Sequence, residues 1–224
     1  FVGLKNIITI LTSDAEFRSD LLFTVIYTVG IVVIAYITGL VFSLLLNADV
    51  PCRTLFRVLI LIPWVISPAV SSMSWSWLLS DQYGFFNNFL KSIGVIDKSI
   101  LFLADKTLAK IMVIIIGAWR NFPFITVSLL AGLQGISKDY YEAADIDGAT
   151  NFNKLTKITV PLVLFQTAPL LVGQYTFNFN NYSIIALFNN GGPFDPTKYG
   201  NLAGSSDLLI SYIFKLTMNN QYQA

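Results

Sequence analysis

The chain has 224 residues, of which 54% are hydrophobic and only 12% are charged, and its formal net charge is +1. Soluble domains carry about 25% charged residues, so a chain this apolar is predicted to be an integral membrane protein with no nucleic-acid partner. There is no histidine and a single cysteine, Cys52, which excludes a disulfide framework and a zinc site. The GxxxxGK[ST] pattern of a phosphate-binding loop is also missing, so we expect no nucleotide cofactor on this chain.

The first half of the chain is predicted to hold two membrane spans. Residues 1–19 mix apolar and charged side chains at helical spacing and are predicted to form a short interfacial helix. Residues 21–46 carry no charge and exceed the roughly 20 apolar residues needed to cross the hydrocarbon core, so they are the first predicted span. After a short turn, residues 55–79 are the second, with Pro63 and Pro68 inside it. Prolines in a span free backbone carbonyls, which is tolerated where the helix faces protein or a wet cavity.

The second half is predicted to hold two further spans. Residues 108–133 are the third, and the fourth lies within the uncharged run 158–194, which ends in a predicted turn at 189–192. Residues 207–218 are apolar but too short to cross a bilayer, and the final six residues are polar. Residues 81–106 form a polar loop, although four of its apolar side chains could rest on the membrane surface: Phe85, Phe86, Phe89 and Leu90.

A polar connector, residues 137–161, separates the third and fourth predicted spans. Ser137 is predicted to be an N-cap, followed by Asp139 in the first turn, where a negative charge favours the positive end of the helix. Apolar and acidic residues then alternate along one short helix, whose Ala143 and Ala144 leave a low surface for a partner. Gly148 permits a left-handed turn after that helix.

A second connector helix is predicted to start at Thr150 or Asn151. Apolar residues recur along it at helical spacing until Pro161 is expected to interrupt the pattern. The connector is therefore predicted to be two short rigid helices with a glycine joint on the water side of the membrane.

The connector resembles the EAA motif of bacterial ABC-importer permeases. Glu142-Ala143-Ala144 is followed after three residues by Gly148, and after nine more by Ile158, one residue and Val160-Pro161, with valine where leucine is usual. The flanking segments are similar to the sugar-importer branch: WRNFPF at 119–124 and LLAGLQGI at 129–136. FNFNNY and NGGP, within 177–193, are especially similar to the larger membrane subunit of maltose-type importers. The resemblance covers the whole chain.

This resemblance implies an all-α integral membrane fold, the MetI-like helical core of type I importer permeases, with cytoplasmic EAA coupling helices. Residues 1–224 would be one transmembrane domain, incomplete at both ends, since related permeases have one more span on each side. The function implied is that of a non-enzymatic, multi-pass subunit in the bacterial plasma membrane, forming half of a sugar pathway across the lipid bilayer. Its partners would be a second permease, two ATP-binding subunits that use ATP, and an extracytoplasmic sugar-binding protein.

The resemblance also implies a coupling mechanism. Closure of the ATPase dimer would move the docked connector and tilt the attached spans, so that the pathway opens alternately to each side. The implied ATPase-coupling residues are Tyr141, Glu142, Ala143, Ala144, Asp147, Gly148, Ile158 and Pro161. The segments implied to face the binding protein are 1–19, 81–106 and 191–224.

Polar side chains within the spans are candidates for the sugar pathway. Asn178 and Asn181 are predicted to share a helical face with Gln174, beside Phe177, and an aromatic ring with amides suits a sugar's ring face and hydroxyls. The alternative is that these amides join helices, at about 0.6–2 kcal/mol each. Arg120 must face protein or water, so a substrate role and a structural role both stay open. The resemblance adds the following pathway positions: Trp64, Gly117, Asn121 and Phe177.

The distribution of charge does not by itself orient the chain. Five Lys and Arg residues lie on the connector side and seven on the other, so the positive-inside rule does not place the connector in the cytoplasm, whereas the family resemblance does. The five are Arg53, Arg57, Lys138, Lys154 and Lys157, and the seven are Lys5, Arg18, Lys91, Lys98, Lys106, Lys110 and Lys198.

Other function classes fit the sequence less well. The predicted spans hold no carboxylate, histidine or cysteine, which disfavours a membrane-embedded enzyme. An ion-coupled carrier or channel is a further alternative, although coupled carriers place ionisable carboxylates near the middle of the membrane. A permease for a non-sugar solute, such as a glycerol phosphate, is the alternative within the same family.

Overall fold

The computed structural model describes residues 3–48, 51–195 and 203–218. Within these ranges the chain is helical and contains no strand, apart from an isolated antiparallel bridge between Phe194 and Gly204. The predictions made for Lys198 and for the final six residues fall outside this part of the chain. The helices are α1 (Lys5–Ser13), α2 (Ala15–Asn47), α3 (Arg53–Val65), α4 (Pro68–Leu78), α5 (Phe85–Ser92), α6 (Lys106–Gln134), α7 (Lys138–Ile146), α8 (Asn151–Lys154), α9 (Val160–Phe179), α10 (Tyr182–Phe188) and α11 (Leu209–Met218).

The N-terminal segment contains a helix break that the sequence analysis did not predict. α1 ends at Ser13, and the side chain of Asp14 accepts a hydrogen bond from the Phe17 amide at 2.9 Å, which caps the start of α2. A guanidinium nitrogen of Arg18 donates to the Thr12 carbonyl at 2.9 Å, satisfying an acceptor at the end of α1. The first span therefore begins at Ala15 and belongs to a 33-residue helix.

Three uninterrupted helical segments of the described chain are long and apolar enough to cross a membrane: 15–47, 106–134 and 151–179. The second predicted span instead consists of two helices, α3 and α4, which meet the same test only when they are taken together. The prediction that Pro68 lies inside a span helix is wrong, because Pro68 is the first residue of α4. Proline disfavours helical geometry in the residue before it, and Ser67 has φ −51° and ψ 138°. Pro63 does lie inside α3.

The polar loop 81–106 contains the short helix α5, whose aromatic residues divide between surface and core. Phe85 and Phe89 are exposed and stack with ring centroids 5.8 Å apart. Phe86 instead stacks on Trp75 at 5.9 Å and packs against the hydrophobic core. The expectation of a surface position therefore holds for the first two rings and not for Phe86.

The chain divides into two compact units. One comprises residues 1–31, 66–117 and 177–224, and the other comprises 32–65 and 118–176. The core of the first unit contains Phe23, Tyr27, Ile31, Leu79, Val113, Ile116, Ile184, Ile185, Phe188 and Leu208. The core of the second unit contains Ala35, Ala118, Ile125, Leu129, Leu133, Ile136 and Val163.

A buried carboxylate organises the end of the first unit where the chain enters α11. Asp207 is fully buried and forms an ion pair with Lys215, whose Nζ lies 2.6 Å from Oδ2. The Gly204 amide donates to the same oxygen at 2.7 Å, and the Ser211 hydroxyl donates to Oδ1 at 2.7 Å. Because each carboxylate oxygen accepts a hydrogen bond, the charge is buried with its partners in place.

The predicted turn at residues 189–192 packs directly on this carboxylate. Asn190 and Gly191 both have positive φ, of 52° and 83°. Lys215 donates to the Asn190 carbonyl at 2.7 Å, and a Cβ added to Gly191 would collide with the carboxylate of Asp207. Glycine at position 191 is therefore required both by the backbone conformation and by the space available.

Candidate functional site

The first connector helix, α7, has the boundaries that its caps predict. Ser137 accepts a hydrogen bond from the Asp139 amide at 3.3 Å, which confirms the predicted N-cap. At the other end the Ala149 amide donates to the Ala144 carbonyl at 2.9 Å and the Gly148 amide donates to Asp145 at 3.1 Å. This is the Schellman pattern, and Gly148 has φ +74°, so the predicted left-handed turn is confirmed.

The second connector helix differs from the prediction, because it does not stop at Pro161. Thr150 is its N-cap and Asn151 its first residue, which agrees with the predicted start at Thr150 or Asn151. The helix then continues from α8 through a π-helical turn, Leu155–Thr159, into α9. In that turn the Val160 amide donates to the Leu155 carbonyl, five residues back. Proline lacks an N–H and normally clashes with the carbonyl four residues earlier, and the wider π turn just before it relieves both problems. The connector is therefore one short helix followed by the first turns of a 29-residue helix.

Two side-chain contacts join α7 to this long helix. The Tyr141 hydroxyl lies 3.0 Å from Thr159 Oγ1, and Thr159 in turn donates to the Lys154 carbonyl at 3.2 Å. Thr159 has only one hydroxyl hydrogen, so Tyr141 is the donor in the bond between them. Lys154 also forms a 2.7 Å ion pair with Asp145, which is largely exposed and contributes at most about 1 kcal/mol.

The predicted coupling residues divide into a surface set and an internal set. Ala144 is buried and therefore does not provide the low surface that the sequence analysis expected of it, because it packs within its own unit. Tyr141 and Ile158 are half-buried, and Tyr141 packs against the core of the second unit. The exposed coupling residues are Glu142, Ala143, Asp147, Gly148 and Pro161.

Three exposed apolar side chains on the connector were missing from the predicted coupling set. Ile146 is 87% exposed, Phe152 is 71% exposed and Tyr140 is 56% exposed. The signal that could have found them is the presence of large apolar residues in an otherwise polar segment outside the spans. Glu142 and Asp147 are also exposed, so the exposed side chains of the connector are both apolar and acidic, which suits a protein partner.

Four of the predicted pathway residues belong to the second unit. Trp64 is 47% exposed and stacks on Phe124 with ring centroids 5.7 Å apart, so one face of its indole is covered by the chain itself. Arg120 and Gln174 are half-buried, whereas Asn121 is buried.

The remaining four pathway residues belong to the first unit: Gly117, Phe177, Asn178 and Asn181. A Cβ at Gly117 would collide with the Ile31 side chain, so this buried glycine permits close packing of α2 and α6. The prediction that Asn178 and Asn181 share one helical face is wrong, because α9 ends at Phe179 and Asn181 occupies the N-cap position of α10. Asn178 is fully buried, whereas Phe177 is 55% exposed.

The geometry offers surfaces for binding and for transmitting movement. Among the residues that the structure describes, no group of three or more Cys, Asp or Glu side chains could hold a metal ion. The connector provides exposed side chains on helices joined to a long helix, and the spans provide half-exposed aromatic rings and half-buried polar side chains.

Comparison with known proteins gives consistent matches over nearly the whole chain. Residues 18–214 match the family described as the inner membrane component of binding-protein-dependent transport systems. The chain is 40% identical to the maltodextrin transport system permease protein MdxF of Bacillus subtilis, over 100% of the chain and 53% of that protein. It is 35% identical to the galactooligosaccharides transport system permease protein GanP of the same organism, over 99% of the chain and 53% of that protein. The chain thus spans about half the length of these curated relatives.

The fold also matches a solved structure. A bacterial ABC transporter involved in the import of the acidic polysaccharide alginate contains a chain that superposes with a TM-score of 0.79 at 23% identity. The match covers 99% of this chain and 74% of the other. At this identity the likeness establishes the fold.

Proposed function

The chain belongs to the family of inner membrane components of binding-protein-dependent transport systems, and we propose that it is a permease subunit of an ATP-driven oligosaccharide importer. It forms half of the translocation pathway and performs no catalysis itself. The sugar class is supported by relatives at 35–40% identity that are named for maltodextrin and galactooligosaccharides.

The proposed partners are a second permease, two ATP-binding subunits and an extracytoplasmic sugar-binding protein. The observation that carries the ATPase contact is the exposed connector surface, where Ile146 and Phe152 are the most exposed large side chains. Apolar side chains with this exposure, next to acidic ones, are typical of a protein interface. The ATPase surface they fit is basic at its rim and apolar at its centre.

The connector couples to the pathway through the second helix. Because α8, the π turn and α9 are continuous from Asn151 to Phe179, movement imposed on the connector moves the fourth span with it. The bond between Tyr141 and Thr159 holds α7 on that helix, so the two connector helices move together. Phe152 lies on the same continuous helix as the span, whereas Ile146 reaches that helix through the turn at residues 147–150.

The proposed sugar contacts are the aromatic and amide groups of the spans. Trp64 and Phe177 expose about half of their side-chain surface and offer flat faces to a sugar ring. Arg120 and Gln174, which are half-buried, add groups that can bind hydroxyls, whereas Asn121 is buried. Each neutral hydrogen bond of this kind contributes only about 0.5–1.5 kcal/mol, which suits a substrate that must also leave.

Reconstitution of the complete assembly tests the function. Glu142→Lys and Ile146→Asp are expected to detach the ATPase or to uncouple ATP hydrolysis from uptake, because both side chains are exposed and neither supports the fold. The measurements are co-purification of the ATPase and ATP-dependent uptake of labelled maltodextrin into proteoliposomes. Ile8→Asp is the control for ATPase co-purification alone, because Ile8 is 57% exposed on α1, outside the connector and in a segment implied to face the binding protein. Normal co-purification and uptake in both connector variants would contradict the proposal.

A further inference from the structure

Two arginines at the start of α3 lack the anions that such a position needs. Arg53 is the first residue of α3 and Arg57 lies one turn further, and the first turn contains no acidic residue. The Nε atoms of both side chains are buried and have no hydrogen-bond partner among the described residues. The N-terminal end of a helix carries a partial positive charge. An anion at this point is therefore attracted both by the helix end and by the two guanidinium groups.

The unit that contains these arginines also has an apolar groove, part of which is lined by α3. Its volume is about 420 Å³, and it is lined by Phe42, Leu45, Leu46, Phe56, Leu59, Ile60 and Phe122. Residues 53, 56, 57 and 60 follow the i, i+3, i+4, i+7 spacing, so both arginines lie on the side of α3 that also carries two groove residues. A single ligand with a negative head and an apolar tail can therefore occupy both features.

The location of the arginines identifies the source of such a ligand. On the predicted topology, in which α3 and α4 together form one span, the turn between α2 and α3 is separated from the connector by two spans, which places both on the same side of the membrane. On the proposed function, on which this step rests, that side is cytoplasmic. The cytoplasmic leaflet carries anionic lipids, and basic pockets between membrane helices on this side bind their head groups.

We propose that Arg53, Arg57 and the groove form a binding site for one anionic phospholipid of the cytoplasmic leaflet. The guanidinium groups bind the phosphate, to which their planar fork is matched, and an acyl chain lies along the groove. A soluble phosphate would use the arginines and leave the groove empty. A zwitterionic lipid would fill the groove without supplying the net charge.

The test counts lipids on the complete assembly by native mass spectrometry. The assembly is titrated with phosphatidylglycerol or phosphatidylcholine after delipidation. Arg53→Gln combined with Arg57→Gln is expected to lower phosphatidylglycerol retention at least fivefold. Phosphatidylcholine retention is expected to fall much less, because its choline cation already weakens the binding of its phosphate to two arginines. The pair Arg53→Lys and Arg57→Lys, which keeps the charge, is expected to retain most of the binding.

Two further variants separate the head-group site from bulk charge and from folding. Leu59→Trp fills the groove without changing any charge and is expected to lower phosphatidylglycerol retention severalfold. Lys138→Gln removes an exposed cation on the same side and is expected to leave retention unchanged. Asp49, the acidic residue nearest in sequence, lies outside the described residues, and Asp49→Asn is expected not to lower retention.

Several results would overturn the proposal. These are unchanged retention in the glutamine pair, an equal loss of both lipids, competition by millimolar inorganic phosphate alone, or a loss of the second permease in place of lipid. If the variant with both arginines changed to glutamine fails to assemble, lipid retention in the lysine variant and in Leu59→Trp still tests the proposal. Unchanged phosphatidylglycerol retention in Leu59→Trp would then contradict it. Lipid counting needs neither transport nor ATP hydrolysis, so a failure of the proposed transport function would be recognised separately, by absent uptake with lipid retention intact.

Discussion

The hydroxyl of Tyr141 donates a hydrogen bond to Thr159, 18 residues further along the chain, at the point where the second connector helix widens into a π turn. The Thr159 hydroxyl in turn donates a hydrogen bond to the Lys154 carbonyl, just before the same turn. The turn that allows the helix to continue past Pro161 is thus also the point at which α7 is attached. One local irregularity serves both the continuity of the long helix and the fixing of the short one.

We expect Tyr141→Phe and Thr159→Val each to lower the stability of the assembly by about 1 kcal/mol, because each removes the same hydrogen bond. The double variant is expected to cost less than the sum of the two, since the shared bond is lost only once. Thermal unfolding of the purified assembly provides the measurement, together with the ratio of sugar imported to ATP hydrolysed, which is expected to fall. Tyr140→Phe is the control, and fully additive effects would show that the bond does not couple the helices.

Substitution of Gly148 is expected to act through backbone strain alone. Its φ is +74° and a Cβ would meet nothing within 4 Å, so Gly148→Ala should cost about 1–2 kcal/mol. Gly148→Asn should cost less, because asparagine tolerates the left-handed region, and Gly148→Asp is expected to impair coupling by changing the angle of α7. Gly173→Ala is the matched control, since Gly173 lies inside α9 in equally open space and should be neutral or stabilising. Equal melting temperatures for the two alanine variants would contradict the strain argument.

Cys52 provides a test of orientation. It is exposed and lies between α2 and α3, two spans away from the connector. A membrane-impermeant thiol reagent is therefore expected to label it in inside-out vesicles and not in intact cells. Cys52→Ser controls for labelling of other subunits. Labelling from outside would agree with the lysine and arginine count and contradict the cytoplasmic connector.

Substitutions of two neighbouring residues at the end of α9 are expected to have different effects, one on stability and the other on transport. Asn178 is fully buried, so Asn178→Ala should lower assembly yield and stability by about 1–3 kcal/mol through the buried polar groups it leaves without a partner. Phe177 is 55% exposed, and Phe177→Ala should reduce sugar uptake severalfold while yield and melting stay near those of the unchanged protein. Asn181→Ala tests whether the amide beyond the helix end contacts sugar. Normal stability with abolished uptake in Asn178→Ala would instead place Asn178 in the pathway.

The features predicted correctly from sequence are those that depend on adjacent residues. Ser137 caps the helix that follows it, the second connector helix begins at Asn151, and Gly148 adopts the left-handed turn, because helix starts and positive φ are decided within a few residues. The long uncharged runs likewise correspond to membrane-length helices, since length and apolarity suffice to define them.

The features that were not predicted are of two kinds. Some depend on whether a helix ends or continues at a given residue, and others depend on contacts with residues elsewhere in the fold. Pro161 normally ends a helix, but here a π turn precedes it and the helix continues, as it also does through Pro169. The end of α9 at Phe179 is marked only by Asn180 and Asn181, which fit a polar helix face equally well, and it removed Asn181 from the predicted face. The ion pair of Asp207 with Lys215 requires α11 to fold back on the turn at 189–192, which no spacing in the sequence reveals.

The close approach of Gly191 to Asp207 constrains which changes the chain can accept. A side chain at position 191 would need both a left-handed backbone and the volume that the carboxylate now fills, so no single substitution there is accommodated. Removal of the carboxylate alone would leave the Lys215 ammonium and the Gly204 amide buried without their acceptor. Positions 191, 207 and 215 are therefore expected to vary together or not at all among homologues, and a library that randomises them singly would recover only the parent residues.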